Sequence, residues 1–275
     1  MSSIAHPATP WRLPTFVWAS AVLHLAALAA VVVAPALWPW ALAAVVLNHV
    51  AITAIGLTPR SHWLGQNITR LPAAAVARRE VALTIDDGPE PAVTPAVLDL
   101  LDAAGHKATF FCIAERVQAH PALAREILAR GHNIQNHTAR HRHDFSFLGP
   151  RGYAAEIERA QQMLEAVTGQ RPRCFRAPAG LRNPFLAPVL HRLGLTLVSW
   201  TRRGFDTRER DAARVLARLT RGLAAGDILL LHDGNAARTT AGRPVVLEVL
   251  PPLLARLDAD GLRSVTLPQA LRDTP

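Results

Sequence analysis

Two adjacent carboxylates, Asp86 and Asp87, follow an apolar run at 81–85 and precede Gly88-Pro89. Such a pair is costly at the end of a strand, because like charges repel and burial disfavours both ionised forms. A metal ion removes this difficulty, since one carboxylate can ligate the cation while its neighbour remains a base. The alternative is an ordinary acidic turn, because Asp-Gly-Pro is common turn chemistry.

Two histidines four residues apart, His137 and His141, supply nitrogen ligands for such a site. We expect this spacing to place both rings on one face of a helical turn, so that both reach one ion. A chance pair is the alternative in a chain with 12 histidines. With Asp87 the pair predicts a two-histidine, one-carboxylate site for a divalent metal, with positions left open for water and substrate. Zinc is the expected ion, with Co2+, Ni2+ or Mn2+ as alternatives.

Arg176 closes another apolar run, within Arg-Ala-Pro-Ala-Gly at 176–180. Its guanidinium could pair with a site carboxylate and keep it ionised. The backbone N–H that follows Pro178, that of Ala179, could donate a hydrogen bond to an oxyanion. A plain turn between a strand and a loop is the alternative for this motif.

His232 follows the leucine run at 229–231. A core histidine is the default interpretation of such a residue, but its place after a strand, like the other candidates, favours a general acid. Asp206 could hydrogen-bond this imidazole and raise the pKa of His232. Asp206 could equally be a surface charge beside a helix.

Elements that could position these residues follow one another from Val81 onward, where short β-type runs alternate with helical patterns. Crossovers of helical length imply parallel strands, and about seven units indicate a barrel, whose site lies where the strands end. The predicted strands are 81–85, 108–113, 133–135, 174–176, 195–200, 227–231 and 263–266. The predicted helices are 95–104, 121–130, 153–168, 184–193, 211–224 and 244–259.

The first sixty residues have a different character, because 13–57 contains no Lys, Arg, Asp or Glu. A membrane-spanning helix needs about 20 apolar residues, so we predict two spans, at about 15–34 and 40–57. A signal peptide, or one span with a re-entrant segment, is the alternative. Arginines flank the pair on both sides, at Arg12 and from Arg60 onward, and the turn has none. The positive-inside rule therefore predicts that both ends, and the catalytic domain, lie on the cytoplasmic face.

The predicted organisation is a membrane anchor at 1–57, a linker at 58–79 and a catalytic domain at 80–275. Lys and Arg number 30 against 21 Asp and Glu, a net charge of +9. Such a balance suits anionic partners. No nucleic-acid motif accompanies it, so we expect a multi-pass protein whose partner is the lipid bilayer and not nucleic acid. No obligate protein partner is predicted.

Taken together, the four motifs resemble those of the polysaccharide deacetylases, the NodB-like carbohydrate esterase family 4. They occur in family order as TIDDGP at 84–89, HTARH at 137–141, RAPAG at 176–180 and LLLHD at 229–233. The resemblance spans 81–266 and implies an α/β fold, a distorted (β/α)7-type barrel. It also implies a metal-dependent hydrolase that removes an N-acyl group, acetyl or formyl, from an amino sugar in a glycan or glycolipid.

The resemblance also implies a role for each candidate residue. Asp86 would be the base and His232 the acid, with Arg176 supporting Asp86 and Asp206 supporting His232. The metal ligands would be Asp87, His137 and His141, and the residues in contact with substrate would be Ala179, Trp200 and Leu230, the last lining the acyl pocket.

Three positions depart from the family pattern. Ala179 stands where an aromatic residue is usual, Arg203 where an aspartate is usual, and Thr207 where a tryptophan is usual. Since long neutral glycans are normally bound on aromatic surfaces, these departures favour phosphate-bearing or lipid-linked substrates over chitin or peptidoglycan. The alternative function is a catalytically inactive, membrane-anchored scaffold that binds glycan or lipid with the same barrel.

Overall fold

Eight short parallel strands form the centre of the protein, which a computed structural model describes over residues 11–272. The outermost parts of the predicted anchor and catalytic domain, 1–10 and 273–275, lie outside the described residues. The strands are β1 (Glu80–Asp86), β2 (Ala108–Cys112), β3 (Asn133–Asn136), β4 (Cys174–Phe175), β5 (Thr196–Leu197), β6 (Arg202–Arg203), β7 (Ile228–His232) and β8 (Arg263–Ser264).

The sheet runs in the order β5-β4-β3-β2-β1-β7-β6, and β8 pairs with the start of β1. The two end strands, β5 and β6, are joined only by residues 198–201, so the sheet curls until its edges approach each other. The predicted class, a distorted parallel barrel, is confirmed. The strand predicted at 195–200 is shorter than expected, and β6 was missed because its arginines interrupt the apolar pattern.

Alternating side chains divide the core into two layers. On β7, Leu229 and Leu231 pack in the large cluster beneath the outer helices, whereas Ile228 and Leu230 belong to a smaller cluster inside the barrel. The next residue on the inner side is His232. The same alternation along β1 therefore brings polar side chains to the inner end of the barrel.

Eleven helices surround or precede the sheet within the described residues. They are α1 (Thr15–Val33), α2 (Trp38–Gly56), α3 (Ala73–Ala77), α4 (Thr94–Ala103), α5 (Ala114–Ala119), α6 (Pro121–Ala129), α7 (Pro150–Thr168), α8 (Leu186–Arg192), α9 (Ala212–Thr220), α10 (Val245–Ala259) and α11 (Leu267–Ala270). The six predicted helices correspond to α4 and α6 to α10. The short α3, α5 and α11 were missed, because they are too short to show a helical period.

The N-terminal pair, α1 and α2, is long and apolar enough to cross a membrane. Asn48 of α2 donates a hydrogen bond of 2.7 Å to the hydroxyl of Ser20 in α1, so the two helices pair through polar groups as well as apolar ones. The second helix begins at Trp38, two residues before the predicted start. Pro39 is accommodated in the first turn of α2, because the N–H that proline lacks would have no acceptor within the helix at this position.

Residues 58–79, the predicted linker, lie against the barrel. Ile68 forms a parallel bridge with Val198, and Leu64 and Leu71 are buried. The chain from the end of α2 to β1 is therefore packed on the domain along much of its length.

Candidate active site

The ends of β1 and β7 bring two of the predicted site residues together. Asp86 and His232 are paired in register on these adjacent strands. Asp87 comes next with a left-handed backbone, at φ 74°, a conformation that is uncommon for a residue other than glycine. Because of this turn, both carboxylates approach the same imidazole: Nε2 of His137 lies 3.8 Å from Oδ2 of Asp86 and 3.3 Å from Oδ1 of Asp87.

Asp87, His137 and His141 form a cluster that could hold a metal ion. Oδ1 of Asp87 lies 3.3 Å from Nε2 of each histidine, and one ligand atom from each residue falls within 4.8 Å of the others. Two ligands held about 2.0–2.1 Å from a tetrahedral ion lie roughly 3.3 Å apart. Within residues 11–272, the buried Oδ1 of Asp87 has no hydrogen-bond partner. An orphaned carboxylate oxygen facing two imidazoles fits a divalent cation.

Hydrogen bonds orient two of these ligands. Nδ1 of His137 donates to the carbonyl oxygen of Arg176 at 2.8 Å, because a carbonyl can only accept. When this ring is neutral, its Nε2 lone pair is therefore directed to the cluster. The amide of Asn235 donates to Oδ2 of Asp87 at 3.0 Å, which occupies one carboxylate oxygen and leaves the other for an ion.

The predicted helical turn at 137–141 is wrong. The segment after β3 is irregular, with left-handed backbones at Thr138 and His141. The N–H of His141 donates to the hydroxyl of Thr138 at 2.8 Å, a local bond that competes with helix formation. The rings still converge, with centroids 4.9 Å apart, because the loop doubles back.

Burial and neighbouring charge set the protonation of the cluster. Burial raises the pKa of Asp87, but the adjacent charge of His137 outweighs it and holds this pKa below its usual value. Burial lowers the pKa of His137, but Asp86 and Asp87 outweigh this effect and raise the pKa overall. Burial and the charge of His137 lower the pKa of His141 to about 4. His141 is therefore neutral at pH 7, the form that ligates a metal.

Asp86 is held by a buried ion pair. Nη1 of Arg176 donates to Oδ1 of Asp86 at 2.6 Å and to the hydroxyl of Thr84 at 2.8 Å. Nη2 of Arg176 donates to the carbonyl of Ser199 at 2.8 Å, and the guanidinium stacks 4.0 Å from the ring centre of Phe111. Arg176 is thus held by several contacts, and its guanidinium occupies one of the two carboxylate oxygens of Asp86.

His232 and Asp206 form a second buried pair. Nδ1 of His232 lies 2.9 Å from Oδ1 of Asp206, and the backbone N–H of His232 donates to Oδ2 at 2.7 Å. Burial lowers the pKa of His232, but the charge and hydrogen bond of Asp206 outweigh it and raise this pKa to about 9. The imidazole therefore holds a proton at pH 7, and Asp206 is not a surface charge.

The three residues predicted to contact substrate occupy different depths. Ala179 is exposed, with a left-handed backbone at φ 53°. Leu230 is 1% exposed and Trp200 6% exposed, both in the cluster inside the barrel. The guanidinium of Arg203 lies 5.2 Å from the ring centre of Trp200. Their contacts with substrate remain predictions.

Two residues of this site were not identified from the sequence. Thr84 lies two positions before Asp86, so the alternation of β1 could have placed both on the same face. Asn235 follows β7 in a left-handed turn, at φ 58°, where no periodic pattern exists. Only the folded chain brings Asn235 to Asp87.

Comparisons with known proteins agree with this geometry. A family model described as polysaccharide deacetylase matches residues 73–198. A peptidoglycan-N-acetylglucosamine deacetylase of Bacillus cereus is 33% identical over 202 residues, which are 70% of this chain and 88% of that protein. A chitooligosaccharide deacetylase of a Bradyrhizobium species is 32% identical over 198 residues, 70% of this chain and 90% of that protein.

A solved structure of a family 4 carbohydrate esterase from Streptomyces lividans, in complex with acetate, is similar with a TM-score of 0.61. It is 31% identical, and the match covers 67% of this chain and 91% of that one. These relatives confirm the expected class of enzyme at the level of the family. The chain belongs to the polysaccharide deacetylase family, whose relatives named here include deacetylases of amino-sugar glycans.

Proposed function

We propose that this protein is a metal-dependent hydrolase that removes an acetyl or formyl group from the nitrogen of an amino sugar. The observation that carries the proposal is the buried Oδ1 of Asp87, placed 3.3 Å from two imidazole nitrogens beside a second, separately held carboxylate. Family membership supports the same reaction. A peptidoglycan or chitooligosaccharide glycan is the substrate class that the names of the relatives suggest.

Asp87, His137 and His141 would hold the cation. When bound, a divalent ion, with zinc favoured by the nitrogen and oxygen donors, supplies Lewis-acid polarisation of the acyl carbonyl and acidifies water. Asn235 occupies only Oδ2 of Asp87, so Oδ1 would be available to the cation.

Asp86 would accept the proton of the attacking water. Arg176 holds one of its oxygens at 2.6 Å, so the second oxygen remains free to act as a base. Charge that develops on the acyl oxygen would be stabilised by the backbone N–H of Ala179. The protonated His232 would deliver its proton to the departing nitrogen. The C–N bond then breaks to give the free amine and acetate or formate.

Loss of a ligand tests the proposal. We expect Asp87→Ala and His141→Ala to lose bound metal and to lower turnover by more than about a hundredfold. Such a loss exceeds the one expected when a residue that only orients a metal ligand is replaced. Metal content by mass spectrometry and acetate release from an N-acetylglucosamine oligosaccharide would measure both. His143→Ala is the matched control, because His143 is exposed two residues away and should leave both unchanged.

Full activity in Asp87→Ala would end the assignment of the metal site. A wild-type protein that binds metal but releases no acyl group from any amino sugar would instead support the inactive scaffold.

We further propose that α1 and α2 anchor the catalytic domain to a membrane with both ends in the cytoplasm. Both helices are long and apolar enough to span the bilayer. Arg12 precedes the pair and Arg60 follows it, while the connecting turn at Pro35–Leu37 has no charge. This distribution supports the cytoplasmic orientation through the positive-inside rule.

A further inference from the structure

The end of the second apolar helix touches the loop that carries Ala179. The N–H of Arg182 donates to the carbonyl of Gly56, the last residue of α2, at 3.2 Å. Three residues later, the carbonyl of Pro59 accepts a hydrogen bond of 2.8 Å from the hydroxyl of Ser199. Gly180 lies so close to Pro59 that a side-chain carbon there would collide with it. The loop at 178–182 therefore adjoins the end of the apolar pair.

The start of the first apolar helix meets the same region. Phe16 of α1 packs edge-on against Trp63, with ring centres 5.7 Å apart, and Gly65 fits closely against Ala187 of α8. Along the two helices only Ser20 and Gly56 are buried. The pair is thus joined to the domain at its ends and leaves its length uncovered.

Three aromatic side chains around these contacts are exposed. Trp63 is 63% exposed, Phe147 87% and Phe185 50%, and we call them the aromatic patch. Phe147 follows β3 and Phe185 follows β4, so both lie on loops at the catalytic end of the barrel. Asn183 ties these loops together, because its amide donates to the carbonyls on either side of Phe147 and its oxygen accepts from the N–H of Phe185.

Positive charge accompanies the aromatic patch. A groove of about 720 Å³ opens beside the end of α2 and is lined in part by Arg60, His62, Trp63 and Arg70, of which Arg70 is paired with Asp227 at 3.1 Å. Nη1 of Arg60 holds the carbonyl of Thr201 at 3.0 Å, so the arginine is oriented in this groove. Aromatic and cationic side chains at the end of an apolar helix are characteristic of the headgroup layer of an anionic membrane.

Chain length brings the catalytic mouth to that layer. The three residues from Gly56 to Pro59 can span at most about 10 Å. The headgroup layer on each side of a bilayer is roughly 5–8 Å thick. The loop that carries Ala179 must then lie in or directly above the headgroups. A sugar linked to a membrane lipid lies at this depth, whereas a polymer of the cell wall extends beyond it.

We infer that the aromatic patch rests in the headgroups of the bilayer that holds α1 and α2, and that the amino sugar reaches the site on a membrane lipid. The substrate part of this inference rests on the proposed deacylase function. The membrane part rests on the contacts of the apolar pair and on the exposure of the patch.

Turnover on two substrates tests the substrate part. The full-length protein in phosphatidylglycerol-containing vesicles is given N-acetylglucosamine linked through diphosphate to a polyprenol, or soluble tetra-N-acetylchitotetraose. We expect the double variant Phe147→Ser/Phe185→Ser to lower kcat/KM for the lipid-linked sugar by about tenfold, because two rings no longer bury apolar area in the interface. Activity on the soluble sugar should stay within about twofold of wild type, since the rings lie outside the metal cluster.

Val76→Ser, which removes another exposed apolar side chain, is the control and should leave both activities unchanged. Equal loss on both substrates, or no loss on the lipid-linked sugar, overturns the inference.

A second measurement needs no turnover and so separates this inference from the proposed function. Cys112 and Cys174 are free and buried, so an introduced cysteine can be labelled selectively with an environment-sensitive fluorophore. In lipid nanodiscs we expect labels at Phe147→Cys and Phe185→Cys to be quenched by brominated lipid. A label at Gln170→Cys, on the exposed loop that enters β4 from the opposite end, should not be quenched. Absence of quenching at both aromatic positions overturns the membrane contact even in an active enzyme.

Discussion

At the level of single residues, ion pairs hold the buried charged groups of the candidate site. Asp86 is paired with Arg176 and Asp206 with His232, and all four side chains are almost wholly buried. An unpaired charge at such depth would be strongly disfavoured. Each buried carboxylate of the candidate site therefore has a partner, and the pairing with Asp206 keeps His232 protonated at neutral pH.

The pair formed by His232 and Asp206 leads to a prediction about pH. A general acid acts in its protonated form, so turnover should fall as pH rises through the pKa of His232, about 9. Asp206→Asn removes the negative charge that raises this pKa. The alkaline limb of the kcat profile should therefore move to lower pH by about one unit or more, as expected for loss of an adjacent opposite charge.

Asp211→Asn is the control for this prediction, because Asp211 caps α9 and is exposed. Its alkaline limb should match that of wild type. An unshifted limb in Asp206→Asn, with the thermal transition preserved, would remove His232 from the role of acid.

At the level of structural elements, the loop after β4 connects the candidate active site to the end of α2. Gly180 has a left-handed backbone, at φ 74°, and a side-chain carbon there would meet Pro59 and Trp200. Gly105 has a similar φ of 69° but open space around it. Substitutions at the two glycines can therefore distinguish the cost of backbone strain from the cost of side-chain crowding.

We expect Gly105→Ala to cost only the strain of a left-handed alanine, about 1–2 kcal/mol. Gly180→Ala should cost about 1–3 kcal/mol more, because the crowded loop must shift. It should also lower turnover, since the shift moves the adjacent N–H of Ala179. Denaturant unfolding in detergent and acetate release would measure these effects. Equal losses of stability in the two variants would show that the contact with Pro59 is not close.

At the scale of the whole molecule, the distribution of charge predicts its orientation. A phosphatase that is active only in the periplasm should be inactive when fused to the C-terminus, and the same reporter fused after Leu37 in the turn should be active. A fluorescent protein that folds only in the cytoplasm should give the opposite pattern. Phosphatase activity at the C-terminus would place the catalytic domain outside and make an external glycan the better substrate.

Local sequence patterns predicted the fold class, and they predicted that most residues of the candidate site follow the ends of strands. Short β-type runs that alternate with helical patterns predict parallel strands. In a barrel of such strands, the residues that follow the strand ends lie close together. Asp86, Asp87, Arg176 and His232 each end or directly follow a strand, so their convergence required no knowledge of loops. His137 follows β3 in the same way.

The way the candidate site is completed, and its position beside α2, depend on contacts between segments far apart in the sequence. His141 reaches the cluster through left-handed turns rather than the predicted helix, and Asn235 reaches Asp87 across 148 positions of sequence. The contact between Gly56 and Arg182 is equally long-range. Local patterns do not predict such contacts, because they depend on the closing of loops and on the packing of distant segments, not on the periodicity of side chains along one element.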